Sequence, residues 1–151
     1  MSFFTGMDIA TTGLTAQRFR LDIISQNLAN ANTTRTPEGG AYQRQMVTFQ
    51  SMEPVGGFQN ILNRELDGQL SNPKNLQGVQ VDSIVKDESP MPVVYDPSHP
   101  DADIYGYVTL PNVNIINEMV DMISASRSYE ANVTAFNNLK AMNAKALELG
   151  T

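Results

Sequence analysis

From the N-terminus, Phe3, Met7, Ala10, Leu14, Gln17, Leu21, Ile24, Leu28 and Ala31 follow one another at alternating spacings of four and three. This spacing predicts a helix whose seam runs for about four heptads. Only Gln17 is polar on it, and Gly13 is its one weak helix former; Asn30, Asn32 and the run to Pro37 end it. Near the other terminus, Ile115, Met119, Met122, Ser126, Tyr129, Val133, Phe136, Lys140, Asn143 and Leu147 repeat the alternation, and Ile123, Leu139 and Leu149 widen the stripe. Asn112 or Asn114 suits the start of this second helix, Glu118 its first turn and Gly150 its C-terminal cap.

Between the helices the pattern changes. All eight prolines lie from Pro37 to Pro111, with seven of the ten glycines. Both residue types work against helix interiors. The chain therefore divides into an N-terminal helix (1–36), a turn- and strand-rich middle (37–112) and a C-terminal helix (113–151). Tyr42–Phe49 reads as a strand after Gly39 and Gly40, and Val79, Val81, Ser83 and Val85 alternate as one face of another. Met91–Tyr95 and Ile104–Leu110 are further candidates, and Phe58, Ile61, Leu62, Leu66 and Leu70 fit a short amphipathic helix. The fold class is mainly α, with two long terminal helices packing like a coiled coil in an assembly and a small β-rich or irregular middle.

Length bears on what the helices do. Val113–Leu149 as a helix extends roughly 55 Å and Met7–Ala31 roughly 37 Å. A compact globule of 151 residues is somewhat under about 40 Å across. The longer stripe should overhang any core the chain builds alone. A hairpin of the two helices covers part of it, and other subunits are expected to cover the rest.

Composition narrows the function classes. The net charge of −6 sits in the middle segment, and both ends are close to neutral. Near-neutral helices pack side by side without repulsion, while an acidic middle favours solubility. No basic stripe is present to displace counterions from phosphates, so nucleic acid is not an expected partner. Cysteine is absent, which removes disulfides, thiol nucleophiles and zinc-thiolate sites. The opening residues have neither a basic leader nor an unbroken apolar core, so no cleaved secretory signal is expected. No run of residues is long and apolar enough for membrane insertion.

One cluster has the residue types of catalysis: Asp96, Ser98, His99, Asp101 and Asp103, interleaved with Pro97 and Pro100. Three carboxylates and the sole histidine could ligate a metal. Prolines interleaved with Asp and Ser are equally what a turn requires, and no second histidine exists. The turn reading is preferred, and the chain is expected to be neither an enzyme nor the holder of a metal or cofactor. Asn32-Thr33-Thr34 and Asn132-Val133-Thr134 match the glycosylation pattern, which is discounted without a secretory signal.

The helices hold the more informative polar residues. Asn27 and Asn30 flank Leu28, and Arg127, Tyr129, Glu130 and Asn132 group on the longer helix. Polar residues at a helix seam can fix register and partner at some cost in stability.

Ser25-Gln26-Asn27-Leu28-Ala29-Asn30-Ala31-Asn32-Thr33, preceded by Gly13-Leu14-Thr15-Ala16-Gln17, resembles the N-terminal signature of bacterial flagellar rod and hook proteins. Ser124-Ala125-Ser126-Arg127-Ser128-Tyr129-Glu130-Ala131-Asn132 resembles their C-terminal motif. The stretch from Tyr95 to Asp103, then Gly106-Tyr107-Val108 and Pro111-Asn112-Val113, is similar to proximal-rod members of that family. The resemblance covers about 3–50 and 78–150. Thr34–Ala41 expands the family's short link to an aromatic, and Ser51–Gln77 matches nothing in it.

The resemblance implies a structural subunit of the drive shaft, exported unfolded through the flagellar type III apparatus without a cleaved signal. It implies residence in the basal body outside the cytoplasmic membrane. The implied partners are copies of the chain, other rod proteins, the distal rod, and the basal adaptor at the MS-ring and export-gate side. The expected interface is Met7, Leu14, Leu21, Ile24, Asn27, Leu28 and Asn30 on the first helix. On the second it is Met119, Met122, Ile123, Arg127, Tyr129, Glu130, Asn132, Val133 and Phe136. The alternative is a soluble coiled-coil adaptor or chaperone of an export system.

Overall fold

The computed structural model describes residues 3–52 and 78–148. Helix α1 spans Phe3–Ala29, followed by strands β1 (Gln45–Ser51), β2 (Val79–Lys86), β3 (Val93–Tyr95) and β4 (Tyr107–Thr109), then helix α2 (Ile115–Glu148). The short helix expected over Phe58–Leu70 and the Gly150 cap lie outside the described residues.

α1 stops where its sequence offers the backbone other partners. The Asn30 amide donates to the Gln26 carbonyl at 2.9 Å and its oxygen accepts from the Thr33 hydroxyl at 3.2 Å. Asn114 starts α2, its side-chain oxygen accepting from the backbone of Ile116 (3.0 Å) and Asn117 (3.2 Å). Those bonds satisfy amides that the helix itself leaves orphaned. Asn112, the other cap candidate, turns instead toward Arg44 and Asp87.

The two helices lie antiparallel on each other. Asn27 meets Glu118 at one end (3.1 Å), Arg20 meets Asp121 (3.4 Å) a little further along, and Asn143 donates to the Met7 sulfur (3.0 Å) near the other. The helix hairpin thus covers part of the α2 stripe, and the expected seam positions Ile115, Met119 and Leu147 are left exposed.

The phase of the stripe differs as well. Glu118 and Ala125 are the buried residues of α2. With half-buried Met122, Tyr129, Asn132, Phe136, Leu139 and Asn143 they continue the alternation of four and three. Ile115, Met119, Lys140 and Leu147, expected on the seam, are exposed. On α1 full burial falls on Ala16, Ile23, Ile24 and Asn27, while Met7, Leu14, Leu21 and Leu28 are half-buried.

β1 and β2 pair antiparallel from Gln45 opposite Lys86 to Ser51 opposite Val79. Thr48 opposes Ser83 and Phe49 opposes Val81, so Asp82 is the extra residue of a bulge. Both strands pack against α1. Near one end of the hairpin Asn27 bonds Gln45, and near the other the Thr12 hydroxyl accepts from the Val79 amide at 3.2 Å. β1 therefore runs beside α1 in the opposite direction. β3 and β4 form a second antiparallel pair in which the Tyr95 and Tyr107 rings meet edge-on, centroids 5.2 Å apart. Gly106, at φ 81°, allows the turn that brings Tyr107 back.

The Asp96–Asp103 segment is built as a turn. Asp96 accepts from the backbone and hydroxyl of Ser98, His99 Nδ1 from the Asp101 amide, and Asp103 from the amides of Tyr105 and Tyr107. Asp101 reaches the chain beyond α1, accepting from the Thr34 hydroxyl at 2.7 Å with Arg35 at 3.8 Å. These bonds to Ser98 hold the Asp96 carboxyl below the usual carboxylate range.

Candidate assembly interface

Where the helices meet the start of β1, the chain buries polar groups rather than apolar ones. Glu118 is 0% exposed and Asn27 1%. One Glu118 oxygen accepts from Arg44 Nε at 2.6 Å and the other from the Asn27 amide at 3.1 Å. The same amide donates to the Gln45 carbonyl at 2.8 Å. The Asn27 oxygen accepts from the Tyr42 hydroxyl (2.9 Å) and the Gln45 backbone amide (3.0 Å). Asn27 thus uses both its donors and two acceptor positions on α2, β1 and the loop before β1.

A second layer surrounds Arg44. Its remaining nitrogens approach Asp87 and Asp121, each at 3.5 Å, and Arg20 approaches the other oxygen of Asp121 at 3.4 Å. The Arg44 backbone amide donates to Asn112, whose own amide holds the carbonyls of Asp87 and Ser89. Burial by itself would lower the Arg44 pKa; the bond to Glu118, with Asp87 adding, outweighs it and holds the guanidinium above its usual value. Hydrogen bonds from Ser89 keep the Asp87 carboxyl low, with Arg44 contributing. Burial, then the Glu118 charge, pushes the Tyr42 phenol up. A buried ion pair contributes little over an apolar pair, but losing one partner costs about 3–5 kcal/mol. The cluster therefore ties α1, α2 and β1 together at this end.

Away from this end the helices meet through small and weakly polar groups. A methyl on Gly6 would touch only Leu139, and one on Gly13 would crowd the Asn132 amide. A groove of about 590 Å³ lies here, lined among others by Gly6, Ala10, Gly13, Ala135 and Leu139.

The expected interface residues divide accordingly. Ile24 and Asn27 are buried inside the chain. Asn30 is a local helix-end bond. Met7, Leu14, Leu21 and Leu28 on α1 and Met122, Tyr129, Asn132, Val133 and Phe136 on α2 are half-buried. Met119, Ile123, Arg127 and Glu130 are exposed. With Ile116 (73% exposed) and Val120, Met119 and Ile123 make an apolar face on the outer side of the first half of α2. Residues 3–52 and 78–148 include Arg44, Glu118, Tyr42 and Asp87, which sequence reasoning did not select as a unit. Glu118 was noted only as a first-turn acid, and Arg44 lies 74 positions from it with no local signature.

A buried polar register cluster, two long helices and an uncovered apolar helix face describe a building block. Comparison with known proteins agrees. A family model described as "Flagella basal body rod protein" matches residues 7–35, and one described as "Flagellar basal body rod FlgEFG protein C-terminal" matches 105–149. The chain is thus a structural protein of the flagellar basal-body rod, not an enzyme. It is 48% identical to the flagellar basal-body rod protein FlgC of Borreliella burgdorferi, covering 99% of this chain and 98% of that one. The corresponding protein of Bacillus subtilis is 46% identical over 99% of both chains, and that of Aquifex aeolicus 34% over 98% and 97%. The chain belongs to the FlgC family of flagellar basal-body rod proteins. No helix among the described residues is long and apolar enough to cross a membrane.

Proposed function

We propose that this chain is a subunit of the proximal rod that joins its neighbours through the outward faces of its paired helices and so carries torque along the shaft. The observation that carries the reading is the exposed row Ile116, Met119, Val120 and Ile123 on α2. Apolar surface of this extent on a helix marks a contact rather than a solvated face. Half-buried Met7, Leu14, Leu21 and Leu28 on α1 offer a second stripe for coiled-coil-like packing with neighbouring helices. In this reading residues 1–36 and 113–151 serve assembly, and 37–112 fix their geometry.

The neighbours are copies of the chain and other rod proteins, with the basal adaptor and the MS-ring and export-gate side below and the distal rod beyond. The subunit works outside the cytoplasmic membrane and reaches that place by type III export.

The test replaces Val120 and Ile123 together by Asp. Cells carrying the variant build no rod and do not swim. Normal swimming would overturn the assignment of this face. Leu21→Asp tests the α1 stripe in the same way: the β1–β2 pair stays folded and rod assembly is lost.

A further inference from the structure

We infer that the outer face of the β3–β4 pair seats the exposed α2 row of a second copy of this chain, with Arg127 of that copy set against Asp103. The inference rests on the reading of the α2 row as a contact to neighbours, and it names the surface that receives the row in the assembled rod.

Among the described elements β3 and β4 pack on each other and on no other strand or helix. Val108 is the buried residue of β4, so Tyr107 and Thr109 turn the other way, together with their pairing partners Tyr95 and Val93. Tyr95 is 64% exposed, and the turn before β4 adds Ile104 at 91% and Tyr105 at 72%. An apolar and aromatic surface this open marks a contact. Asp103 stands exposed at its edge, one carboxylate oxygen accepting from the amides of Tyr105 and Tyr107. None of the ion pairs among the described residues includes it.

The α2 row has the complementary make-up. Ile116, Val120 and Ile123 are followed at the next helical spacing by Arg127, which is exposed and likewise enters no ion pair among the described residues. Arg127 lies roughly 18 Å along α2 from Ile115. Since β3 and β4 touch no helix of their own chain, the two surfaces need two chains to meet.

Charge and symmetry choose the occupant. The net negative charge sits in the middle segment, so two β3–β4 faces laid on each other would set Asp103 near its own copy. A near-neutral helix whose apolar row ends in an arginine suits the face instead. The Tyr105 and Tyr107 rings offer the guanidinium a π face beside the carboxylate. A contact between two different surfaces of one chain also continues from copy to copy, as a shaft requires, whereas a like-on-like contact closes into a pair.

The test uses basal bodies from cells carrying Tyr105→Cys and Ile123→Cys in one chain, which has no other thiol. Oxidation with copper phenanthroline should give disulfide-linked dimers and higher multimers of the chain, and either cysteine alone should give only monomer. Rods that assemble with both cysteines yet yield only monomer would overturn the inference. Dimers from Ile123→Cys alone would show row meeting row, and would overturn it while leaving the row a contact. Should the cysteine pair prevent assembly, charge decides. Arg127→Glu should abolish swimming, and adding Tyr105→Lys, which sets a cation beside Asp103, should restore it. A double variant as immotile as the single one would overturn the inference. Failure of the underlying reading shows separately, as normal swimming when Val120 and Ile123 are both replaced by Asp.

Discussion

The two ends of the helix hairpin are built on opposite principles. Around Asn27, Arg44 and Glu118 the chain buries polar groups and satisfies them with named partners from four segments. Around Gly6, Gly13 and Leu139 the helices approach through small side chains, and Asn143 donates to a sulfur, a weak acceptor. The first arrangement tolerates one register only. The second has no charged pair to fix its register, although Gly13 leaves little room beside the Asn132 amide. A rod subunit needs both, since one end must define geometry and the other must fit among neighbours.

The contrast can be broken most severely at Asn27. Asn27→Ala leaves the Tyr42 hydroxyl and both Gln45 backbone groups without their partner, at a cost of about 3 kcal/mol in denaturant unfolding. A loss under about 1 kcal/mol would mean the cluster is not what holds that end. At the other end Leu139→Ala removes a half-buried side chain and should cost only about 1 kcal/mol, below the range for full burial. Gly6→Ala should stabilise by about 0.5 kcal/mol, because its methyl meets Leu139 at 3.6 Å, an ordinary contact, while helix propensity improves. A clear loss there would show tighter packing than the contrast allows.

The smallest effects are those of pH, and they belong to the register end. The folded Asp87 carboxyl prefers its charged form, so its stabilisation is full above about pH 4 and fades as pH falls through its lowered value. The folded Tyr42 phenol prefers its protonated form, so its stabilisation holds below about pH 10 and is lost as pH rises through its raised value. Stability measured against pH should lose its acid limb in part with Asp87→Asn and its alkaline limb with Tyr42→Phe. An unchanged profile in either variant contradicts the corresponding assignment.

Much of the fold was legible because proline placement is unambiguous. Both long helices and the four strands fall within the regions that proline, glycine and periodicity marked out. The phase of α2 was not legible. Its inner face carries Met122, Tyr129 and Phe136 as the spacing expects, but also Glu118, Asn132 and Asn143, while Met119 and Ile123 point away, so a rule that turns apolar residues inward misplaces every second position. That failure is informative, since apolar residues turned outward are what an assembling helix needs. Asn27 drew notice as a polar residue at a seam, yet its partners lie on β1, its preceding loop and α2, which no spacing within α1 encodes. The bulge at Asp82 likewise depends on pairing with Thr48 and left the simple alternation of β2 intact in sequence.

The outward face of α2 carries the functional account, and its solvent access can be measured directly. Ile123→Cys, the chain's sole thiol, should react readily with a hydrophilic maleimide in the purified subunit. In intact basal bodies from swimming cells the same thiol should be protected. Equal reactivity in the free subunit and the assembled rod would contradict the claim that this face is where the subunit meets its neighbours.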